Sequence, residues 1–492
     1  MTRVGTDDRS ASADTQPFPS LLDEIRRHVS DRPTHDAMRL FDDAGRVSSR
    51  WTYAHFWERT CEWAGTMAAG TDENDTIVIV ESNAAEFIAL FLGTLMAGRW
   101  ALPVPPNSTP AEIARLVAES GAHGAAGGMA APVAERHQVR LLNASFKPHE
   151  QVDNGGGIVL RTSGTTGIPK LVQRTISSLD AVTANVREAT GLSTTDVVLS
   201  VIPAWHSYGV ENVLLGPLTA GATLLVGARF DAVLCELWLR DDATVFPGVP
   251  MMFESLARGE SYGDEAAMRL CYSAGSSLPA QVSHDFEHRW GHRVGQLYGA
   301  TDVGSVTFND PSSSVFLDGS VGVAMRGVRI RILDDDDRPV PAGMAGQVAI
   351  SAPSMLSRYL GDQPLELVDG FLPMGDIGRL DERGRLTITG MMKFLIDVGG
   401  MKVNPLEVEE AIREYPDVAD CAVVPIHVSE SVWRVRAIVV PASDDRGLDE
   451  RALGAFVRER LAPHKVPRVF EVRPSLPRSP TGKLLRRALE GA

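Results

Sequence analysis

The chain has 492 residues, which is long enough for more than one domain, and its 44% hydrophobic and 23% charged residues are ordinary for a folded protein. Its formal net charge of -15 argues against nucleic acid or an anionic membrane as the main partner, because such surfaces need a basic footprint. The four cysteines include no Cys-x-x-Cys pair and favour reduced core residues over zinc or disulfide sites.

Residues 1–18 are polar and rich in Asp, Ser and Thr, so we expect a disordered lead and no signal peptide. The longest apolar run, Phe87 to Gly98, is too short to span a bilayer. These two features predict a cytoplasmic protein.

The first part of the chain alternates strand-like and helix-like segments, which is typical of parallel α/β layers. Short apolar runs predict buried strands, and longer amphipathic segments predict helices. The expected helices are Leu21 to Val29, one that begins at Trp51 to Tyr53, and Glu86 to Met96, with strands at Ile77 to Val80 and Trp100 to Pro105.

A second α/β series follows, with helices expected at Ser178 to Thr190 and from Glu211 onward. Between Val321 and Ile350 the pattern changes to short β runs, and the four aspartates at 334–337 are typical of a solvated turn rather than a metal site. After Gly390 the pattern predicts a compact α+β unit. The other expected elements are the strands Val197 to Ile202, Ala222 to Val226, Ala243 to Phe246, Leu270 to Ser273, Ala419 to Pro425, Val435 to Val440 and Val469 to Val472, and the helices Glu407 to Tyr415 and Glu450 to Leu461.

A loop rich in hydroxyls and glycines runs from Leu160 to Lys170. Glycines let a backbone approach an anion closely, while backbone N–H groups, hydroxyls and the Lys170 ammonium supply donors and positive charge. The loop lacks the Gly-Lys-Ser/Thr ending of the Walker pattern. Its composition predicts phosphate binding of another type, and a solvated Ser/Thr/Gly surface loop is the alternative.

This loop resembles the phosphate loop of the adenylate-forming superfamily, which comprises acyl-CoA synthetases, luciferase-like enzymes and the adenylation domains of peptide synthetases. Further segments stand in the order that this family requires, and the resemblance extends from about Trp51 to Lys483. It implies an α/β fold with a large N-terminal AMP-binding domain of layered α/β subdomains and a β-rich part, residues 19–391. A small mobile α+β C-terminal domain, residues 392–492, would follow a hinge near Lys393. The loop residues that the resemblance assigns to the nucleotide are Thr162, Ser163, Gly164, Thr165, Thr166, Gly167 and Lys170, of which Thr166 and Lys170 would also be catalytic.

The segment Pro203 to Gly209 resembles the family's His-containing acyl-pocket motif, which gives His206 a catalytic role beside an apolar wall of Trp205 and Tyr208. Adenylation domains for α-amino acids carry an Asp just before this region, where this chain has Ala204, so an amino-acid substrate is not expected. Together with Met251 and Met252, the acyl-pocket residues indicate an apolar and bulky acid of fatty, aromatic or terpenoid type. The acyl pocket that the resemblance implies consists of Trp205, His206, Tyr208, Val249, Gly275 and Gly299.

Two further segments resemble the family's nucleotide motifs. Tyr272 to Pro279 is similar to the glycine-rich turn beside adenine, which brings in Gly275 and Ser276. Gln296 to Asp302 is similar to the Tyr-Gly-x-Thr-Glu signature, in which the Tyr stacks on adenine, the Thr contacts phosphate and the acid holds magnesium. The corresponding residues here are Tyr298, Gly299, Thr301 and Asp302. Asp302 is one methylene shorter than Glu, and magnesium tolerates little error in ligand position.

The C-terminal motifs complete the resemblance with two departures. Asp376 stands where the family has the Asp that binds the ribose hydroxyls, but Met391 replaces an Arg that contacts ribose and phosphate, and a thioether cannot replace a guanidinium fork. Asp397 occupies a place where many relatives have Lys. The remaining implied residues are Asn83 before a helix, the CoA-tunnel glycines Gly399 and Gly400, and the catalytic Lys483.

The resemblance implies a carboxylic acid–CoA ligase that uses ATP, or a ready-made acyl-adenylate, together with Mg²⁺ and CoA. Because Asp302 and Met391 both alter phosphate contacts, adenylation could be impaired and a separate adenylating enzyme could supply the acyl-adenylate. A second alternative is transfer to a free-standing acyl carrier protein, and a third is a non-catalytic nucleotide-binding relative. Retention of Lys483 argues against the third.

Overall fold

The computed structural model describes most of the chain, and several predicted site residues lie outside the described ranges. These are Asn83, Ser163 to Gly167, Lys393, Gly399, Gly400 and Lys483. The described residues are 17–42, 44–82, 84–106, 108–138, 140–142, 155–162, 170–227, 229–259, 266–361, 363–392, 396–398, 401–429, 432–443, 448–461, 463, 465–479 and 484–490.

Many of the helices begin at a polar residue whose side chain accepts a backbone hydrogen bond. Thr109 caps the helix Pro110–Ser120 in a reciprocal capping box with Glu112, and Asp231 accepts two backbone hydrogen bonds at the start of the helix Ala232–Asp241. A π-helix spans Gly209–Leu215. The α-helices are α1 Leu21–Asp31, α2 Tyr53–Gly70, α3 Ala84–Met96, α4 Pro110–Ser120, α5 Ala131–His137, α6 Ile176–Thr190, α7 Gly216–Ala220, α8 Ala232–Asp241, α9 Pro250–Leu256, α10 Ala280–Trp290, α11 Pro405–Arg413, α12 Glu450–Arg458 and α13 Arg487–Glu490.

The strands alternate with these helices in the first half of the chain and dominate the region after residue 294. They are β1 Asp36–Phe41, β2 Val47–Thr52, β3 Thr76–Ile79, β4 Trp100–Pro103, β5 Gly124–Ala126, β6 Arg140–Leu142, β7 Gly157–Arg161, β8 Leu171–Thr175, β9 Val197–Ser200, β10 Thr223–Val226, β11 Val245–Gly248, β12 Leu270–Ser273, β13 Val294–Ala300, β14 Gly304–Asn309, β15 Gly322–Ala324, β16 Arg329–Leu333, β17 Gly346–Ser351, β18 Arg358–Tyr359, β19 Leu372–Leu380, β20 Arg385–Met391, β21 Ile396–Val398, β22 Met401–Val403, β23 Val418–Ser429, β24 Val432–Pro441 and β25 Val469–Val472.

The chain divides into two compact units, one of residues 1–329 with 351–366 and one of residues 330–350 with 367–492. The second unit includes residues 367–391, which the sequence placed in the large domain. The predicted boundary at residues 391 and 392 and the hinge stay predictions.

The first unit contains two sheets. In one, the strands run in the order β15-β14-β13-β12-β11-β9-β10-β1-β2, and the inner strands from β13 to β1 are parallel. In the other, the order is β18-β8-β7-β4-β3-β5-β6, with β7, β4, β3, β5 and β6 parallel. The parallel strands are flanked by helices, so the predicted α/β layering is confirmed.

Each sheet of the first unit buries its own apolar cluster. Phe246, Phe253, Phe286 and Trp290 pack together between the first sheet and the helices α8 to α10. The cluster of the second sheet includes Val78, Leu102 and Val159 of β3, β4 and β7. Rigid sheets of this kind hold the loops at the strand ends in place.

The second unit is α+β, as predicted. It contains a β16-β17-β19-β20 array, a two-stranded β21-β22 ribbon and a β23-β24-β25 sheet. The helices α11 and α12 cover an apolar cluster that includes Val408, Val423, Val439 and Leu453.

Several expectations need correction or completion. The helix expected from Glu211 is a π-helix that begins at Gly209 and continues into α7. Phe18, the last residue of the predicted lead, is described and lies 4.1 Å from the Arg326 guanidinium, ring centroid to Cζ. The helices α4, α5, α8, α9, α10 and α13 had no counterpart among the expected elements. The four cysteines are buried and free, as predicted, and no helix within the described residues is long and apolar enough to cross a membrane.

Candidate active site

The predicted phosphate loop connects β7 and β8, which pair as an antiparallel hairpin. At the base of the loop the Thr162 N–H donates to the Lys170 carbonyl at 2.8 Å, and the Lys170 N–H donates to the Thr162 hydroxyl at 3.1 Å. The two ends of the loop are therefore clasped together. Residues 163–169, which carry the glycines, lie outside the described part of the chain.

Beside this loop, Tyr359 lies between the two charged residues predicted to serve the phosphates. The Lys170 ammonium is 4.4 Å from the centroid of the Tyr359 ring. On the other side, the Tyr359 hydroxyl donates to Asp302 Oδ1 at 2.6 Å. The structure thus brings Lys170 and Asp302 together through a residue that sequence reasoning missed.

His206 follows β9 and belongs to a tight turn. The turn closes because residue 209 is glycine: a Cβ added there would lie 2.1 Å from the Pro203 carbonyl oxygen. The His206 side chain reaches solvent, yet enough protein surrounds it for desolvation to lower its pKa. The lowered pKa favours the neutral form of the imidazole.

An apolar wall forms next to this turn. The Tyr208 hydroxyl donates to the Gly248 carbonyl at 3.1 Å, and a Cβ added at Gly275 would lie 3.8 Å from Val249 Cγ1. Tyr208 also packs edge-on against Tyr272, with ring centroids 6.5 Å apart. Three of the predicted acyl-pocket positions, those of Tyr208, Val249 and Gly275, therefore lie together.

The other apolar residues of the predicted pocket are arranged differently. Met252 is buried in the core of the first sheet, whereas Met251 is 38% exposed. Trp205 is half-buried. Val249 and Met252 belong to the same buried cluster, and Tyr208 packs against it.

The nucleotide motifs stand at the ends of neighbouring parallel strands. Tyr272 pairs with Gly295 and Ser273 with Gln296, so that β12 and β13 run in register. Gly275 and Ser276 follow β12, Tyr298 and Gly299 lie near the end of β13, and Thr301 follows it. Ligands of open α/β sheets bind outside the carboxyl ends of the strands, which is where these residues stand.

A buried ionic cluster behind the His206 turn was not predicted. Arg174 of β8 forms a salt bridge with Glu211 of the π-helix, and both side chains are at most 2% exposed. Ser207 donates to Glu211 Oε1 at 2.6 Å, and the N–H and hydroxyl of Ser305 donate to Glu211 Oε2 at 2.9 and 2.8 Å. The sequence did carry one signal, because Glu211 and Asn212 interrupt an otherwise apolar run.

In the second unit, Asp376 of β19 pairs with Met391 of β20. The position where the resemblance implies an Arg therefore lies directly opposite the predicted ribose-binding carboxylate. Asp397 lies on β21, opposite Lys402 of β22.

The segments on both sides of Lys483 are fixed although Lys483 itself lies outside the described residues. Arg478 and Leu484 form an antiparallel bridge, and Leu485 N–H donates to the Pro477 carbonyl at 2.9 Å. Arg486 is buried and pairs with the buried Glu409 through both guanidinium nitrogens Nη1 and Nη2. The loop that carries Lys483 is thus anchored at its base.

Asp302 suits a magnesium ion that is shared with a nucleotide. Within the described residues no group of three or more His, Cys, Asp or Glu side chains could hold a metal. Magnesium commonly takes only one or two carboxylates and completes its octahedron with phosphate oxygens and water. With Oδ1 bonded to Tyr359, the other carboxylate oxygen of Asp302 fits that role.

Sequence comparison decides the family. The profile of the AMP-binding enzyme family matches residues 25–360, and that of the AMP-binding enzyme C-terminal domain matches residues 407–483. The chain belongs to the AMP-binding enzyme family. The predicted superfamily and fold class are confirmed, as is the enzyme class of AMP-forming acid–CoA ligases.

Curated relatives and a solved structure agree with this assignment. A malonate–CoA ligase of Arabidopsis thaliana is 28% identical over 482 residues, which cover 86% of this chain and 78% of the relative. A 4-coumarate–CoA ligase of Oryza sativa subsp. japonica is 28% identical over 467 residues, with 87% and 86% covered. The crystal structure of ATP-bound MatB from Rhodopseudomonas palustris superposes with a TM-score of 0.88 at 23% identity and covers 96% of this chain and 98% of that chain, which supports the fold.

Proposed function

We propose that this AMP-binding enzyme converts an apolar carboxylic acid, through an acyl-adenylate, to its CoA thioester. The observation that carries the proposal is the apolar wall of Tyr208 and Val249 beside the open position of Gly275, where a Cβ would meet only Val249. An apolar wall at the carboxyl ends of the sheet strands suits the hydrocarbon part of an acid. An aromatic acid fits it as well as a fatty one.

The first half-reaction brings two anions together, the carboxylate of the acid and the α-phosphate of ATP. The chain supplies the compensating donors: Lys170 and Thr162 at the base of the phosphate loop, the loop residues Ser163 to Gly167, and Lys483. Asp376 would accept hydrogen bonds from the ribose hydroxyls, and Tyr298 would stack on adenine. Magnesium bound at Asp302 would supply further positive charge to the phosphates.

The second half-reaction transfers the acyl group from AMP to the thiol of CoA. We propose that residues 392–492 turn about Lys393 between the two steps, which exchanges Lys483 for the Gly399-Gly400 segment. Because Gly399 and Gly400 have no side chains, the pantetheine arm of CoA could pass close to their backbone. His206, whose pKa is lowered by desolvation, would hydrogen-bond to the carboxyl group of the acid.

We further propose that the first half-reaction is the slower one. Asp302 is shorter than the Glu of the family, and Met391 offers no charge or donor where Arg contacts ribose and phosphate. Both changes weaken groups on the nucleotide side, whereas the thioester-forming segment keeps its glycines. Thioester formation from a ready-made acyl-adenylate should therefore exceed the overall rate from acid and ATP.

The test uses product analysis by mass spectrometry with a panel of acids that includes 4-coumarate, malonate and medium-chain fatty acids. Each acid is supplied once with ATP, Mg²⁺ and CoA, and once as its acyl-adenylate with CoA. Thioester from both sets establishes the two-step ligase, and thioester from the adenylates alone assigns the first step to a separate adenylating enzyme. Absence of thioester in both sets would refute the proposal.

Two parallel assays cover the alternatives. Replacing CoA by a holo acyl carrier protein distinguishes a carrier-loading ligase, since only that acceptor would then be acylated. Nucleotide binding without any acylated product would indicate the non-catalytic relative. The double variant Asp302→Glu/Met391→Arg tests the slow first step. Its acid-dependent ATP consumption should be faster than that of the wild type, and an unchanged rate of ATP consumption would contradict this part of the proposal.

A further inference from the structure

We infer that Tyr359 is a positioning residue that holds Lys170 and Asp302 apart and aims both at the nucleotide phosphates. The inference rests on the proposed function, since it concerns how this chain binds Mg²⁺ and ATP. It depends on the contacts of Tyr359 with these two residues.

The backbone of Tyr359 is fixed on two sides. β18 pairs with β8, so Tyr359 lies opposite Val172, close to the end of the phosphate loop. Three residues before Tyr359, the Leu356 N–H donates to the carbonyl of Asp302 at 2.8 Å. Directly after Tyr359, the Leu360 N–H donates to the carbonyl of Leu171 at 2.8 Å. The Tyr359 ring therefore has a set place between the phosphate loop and the strand end that carries Asp302.

The ring keeps a cation and an anion from neutralising each other. Lys170 lies on its face and Asp302 binds its hydroxyl, and within the described residues the Lys170 ammonium and the Asp302 carboxylate form no ion pair. A direct pair would reduce the charge that each offers to a ligand. Held apart, the ammonium would be available to a phosphate oxygen, and the carboxylate would be available to hold Mg²⁺.

The hydroxyl also compensates for the short side chain at position 302. A hydrogen bond of 2.6 Å to an ionised carboxylate is among the stronger ones in proteins, and it fixes the rotation of the group. With Oδ1 bonded to Tyr359, the position of the second oxygen is fixed as well. The shorter acid thus depends on Tyr359 for an orientation that a free carboxylate would lack.

Tyr359→Phe and Tyr359→Leu separate the two contacts. The Phe variant keeps the ring beneath Lys170 and loses the hydroxyl, so the affinity for Mn²⁺ in the presence of ATP should fall about five- to tenfold, as expected for the loss of one charge-assisted hydrogen bond. Metal-free ATP should bind it as it binds the wild type. The Leu variant should lose affinity for metal-free ATP as well, because the support of Lys170 is gone. Electron paramagnetic resonance measures bound Mn²⁺, and calorimetry on the full chain measures ATP.

Two controls make the experiment decisive. Tyr53 is buried in α2, and its hydroxyl donates to the Ala222 carbonyl at 2.8 Å, so Tyr53→Phe removes a hydroxyl of similar kind outside the site and should leave both affinities unchanged. The second control is the double variant Asp302→Asn/Tyr359→Phe. It should bind Mn²⁺ no more weakly than the single variant Asp302→Asn, because the Tyr359 hydroxyl acts through the Asp302 carboxylate.

The outcomes separate this inference from the proposed function. Unchanged or tighter Mn²⁺ binding by Tyr359→Phe would overturn the inference even if the wild type makes thioester, and so would additive losses in the double variant. Failure of the wild type to acylate any thiol would refute the proposed function, but the binding data would still decide the role of Tyr359. A wild type that binds no Mn²⁺ with ATP would overturn the inference as well.

Discussion

Asp376 and Met391 lie directly opposite each other on the antiparallel strands β19 and β20. Side chains at such positions point to the same face of a sheet and stand close enough to act on one ligand. The family resemblance implies an arginine beside this carboxylate, where the chain has the thioether of Met391. The position opposite Asp376 therefore carries no positive charge.

Met391→Arg should restore that cation. We expect acid-dependent exchange of pyrophosphate with ATP to rise several-fold, because a guanidinium supplies charge and directed donors that a thioether lacks. The rate from a supplied acyl-adenylate should change little. Met392→Arg is the matched control: it adds the same charge one residue later, at a position that is 36% exposed, and should leave the exchange rate unchanged. Equal gains in both variants would show a non-specific effect of charge.

Gly304 supports the buried ion pair behind the His206 turn. Its φ is +72°, and a Cβ there would lie 2.6 Å from Nη2 of Arg174, which is fully buried. Gly304→Ala should therefore cost backbone strain of about 1–2 kcal/mol and a further ~1–3 kcal/mol for the displaced guanidinium. Gly319→Ala has a similar φ of +76° with nothing within 4 Å and should cost the strain alone. Chemical denaturation measures both, and equal losses would mean that Arg174 moves aside without cost.

The Arg174–Glu211 pair should behave as a coupled unit. Glu211→Gln leaves the Arg174 charge buried without its counter-ion, which should cost about 3–5 kcal/mol of unfolding free energy. The double variant Arg174→Met/Glu211→Gln should regain much of the lost unfolding free energy, because no unpaired charge stays buried. On the surface, Glu254→Gln breaks the exposed Arg258–Glu254 pair and should cost less than about 1 kcal/mol. Losses that simply add in the double variant would contradict the coupling.

The sequence predicted what depends on local pattern and on the family motifs. The parallel strands and the helices α1, α3 and α6 followed from short-range patterns, and the burial of the cysteines followed from the absence of a Cys-x-x-Cys pair. Tyr359 could not be found in this way, because it lies 57 residues from its partner Asp302 and its role depends on how β18 pairs with β8. The π-helix was missed as well. Its residue Glu211 contacts Arg174 and Ser305, which lie on two strands from distant parts of the chain, and no local pattern indicates such contacts.

Asp180 should make the stability of the first unit depend on pH. Burial raises its pKa from 3.8 to about 6, although Oδ1 accepts a hydrogen bond of 2.7 Å from the Leu21 N–H. Because the folded-state pKa is the higher one, the stabilising contribution is fully present below about pH 4 and is lost as the pH rises through 6. The shift corresponds to at most about 3 kcal/mol.

Asp180→Asn keeps an acceptor for the Leu21 N–H and removes the charge. The variant should match the wild type near pH 4 and exceed its unfolding free energy above pH 6.5, where the buried carboxylate of the wild type is ionised. Denaturation midpoints measured from pH 4 to pH 8 test this expectation. Asp318→Asn, at an exposed position, should show no such pH-dependent gain. A difference between Asp180→Asn and wild type that stays constant over this range would contradict the titration of Asp180 as its cause.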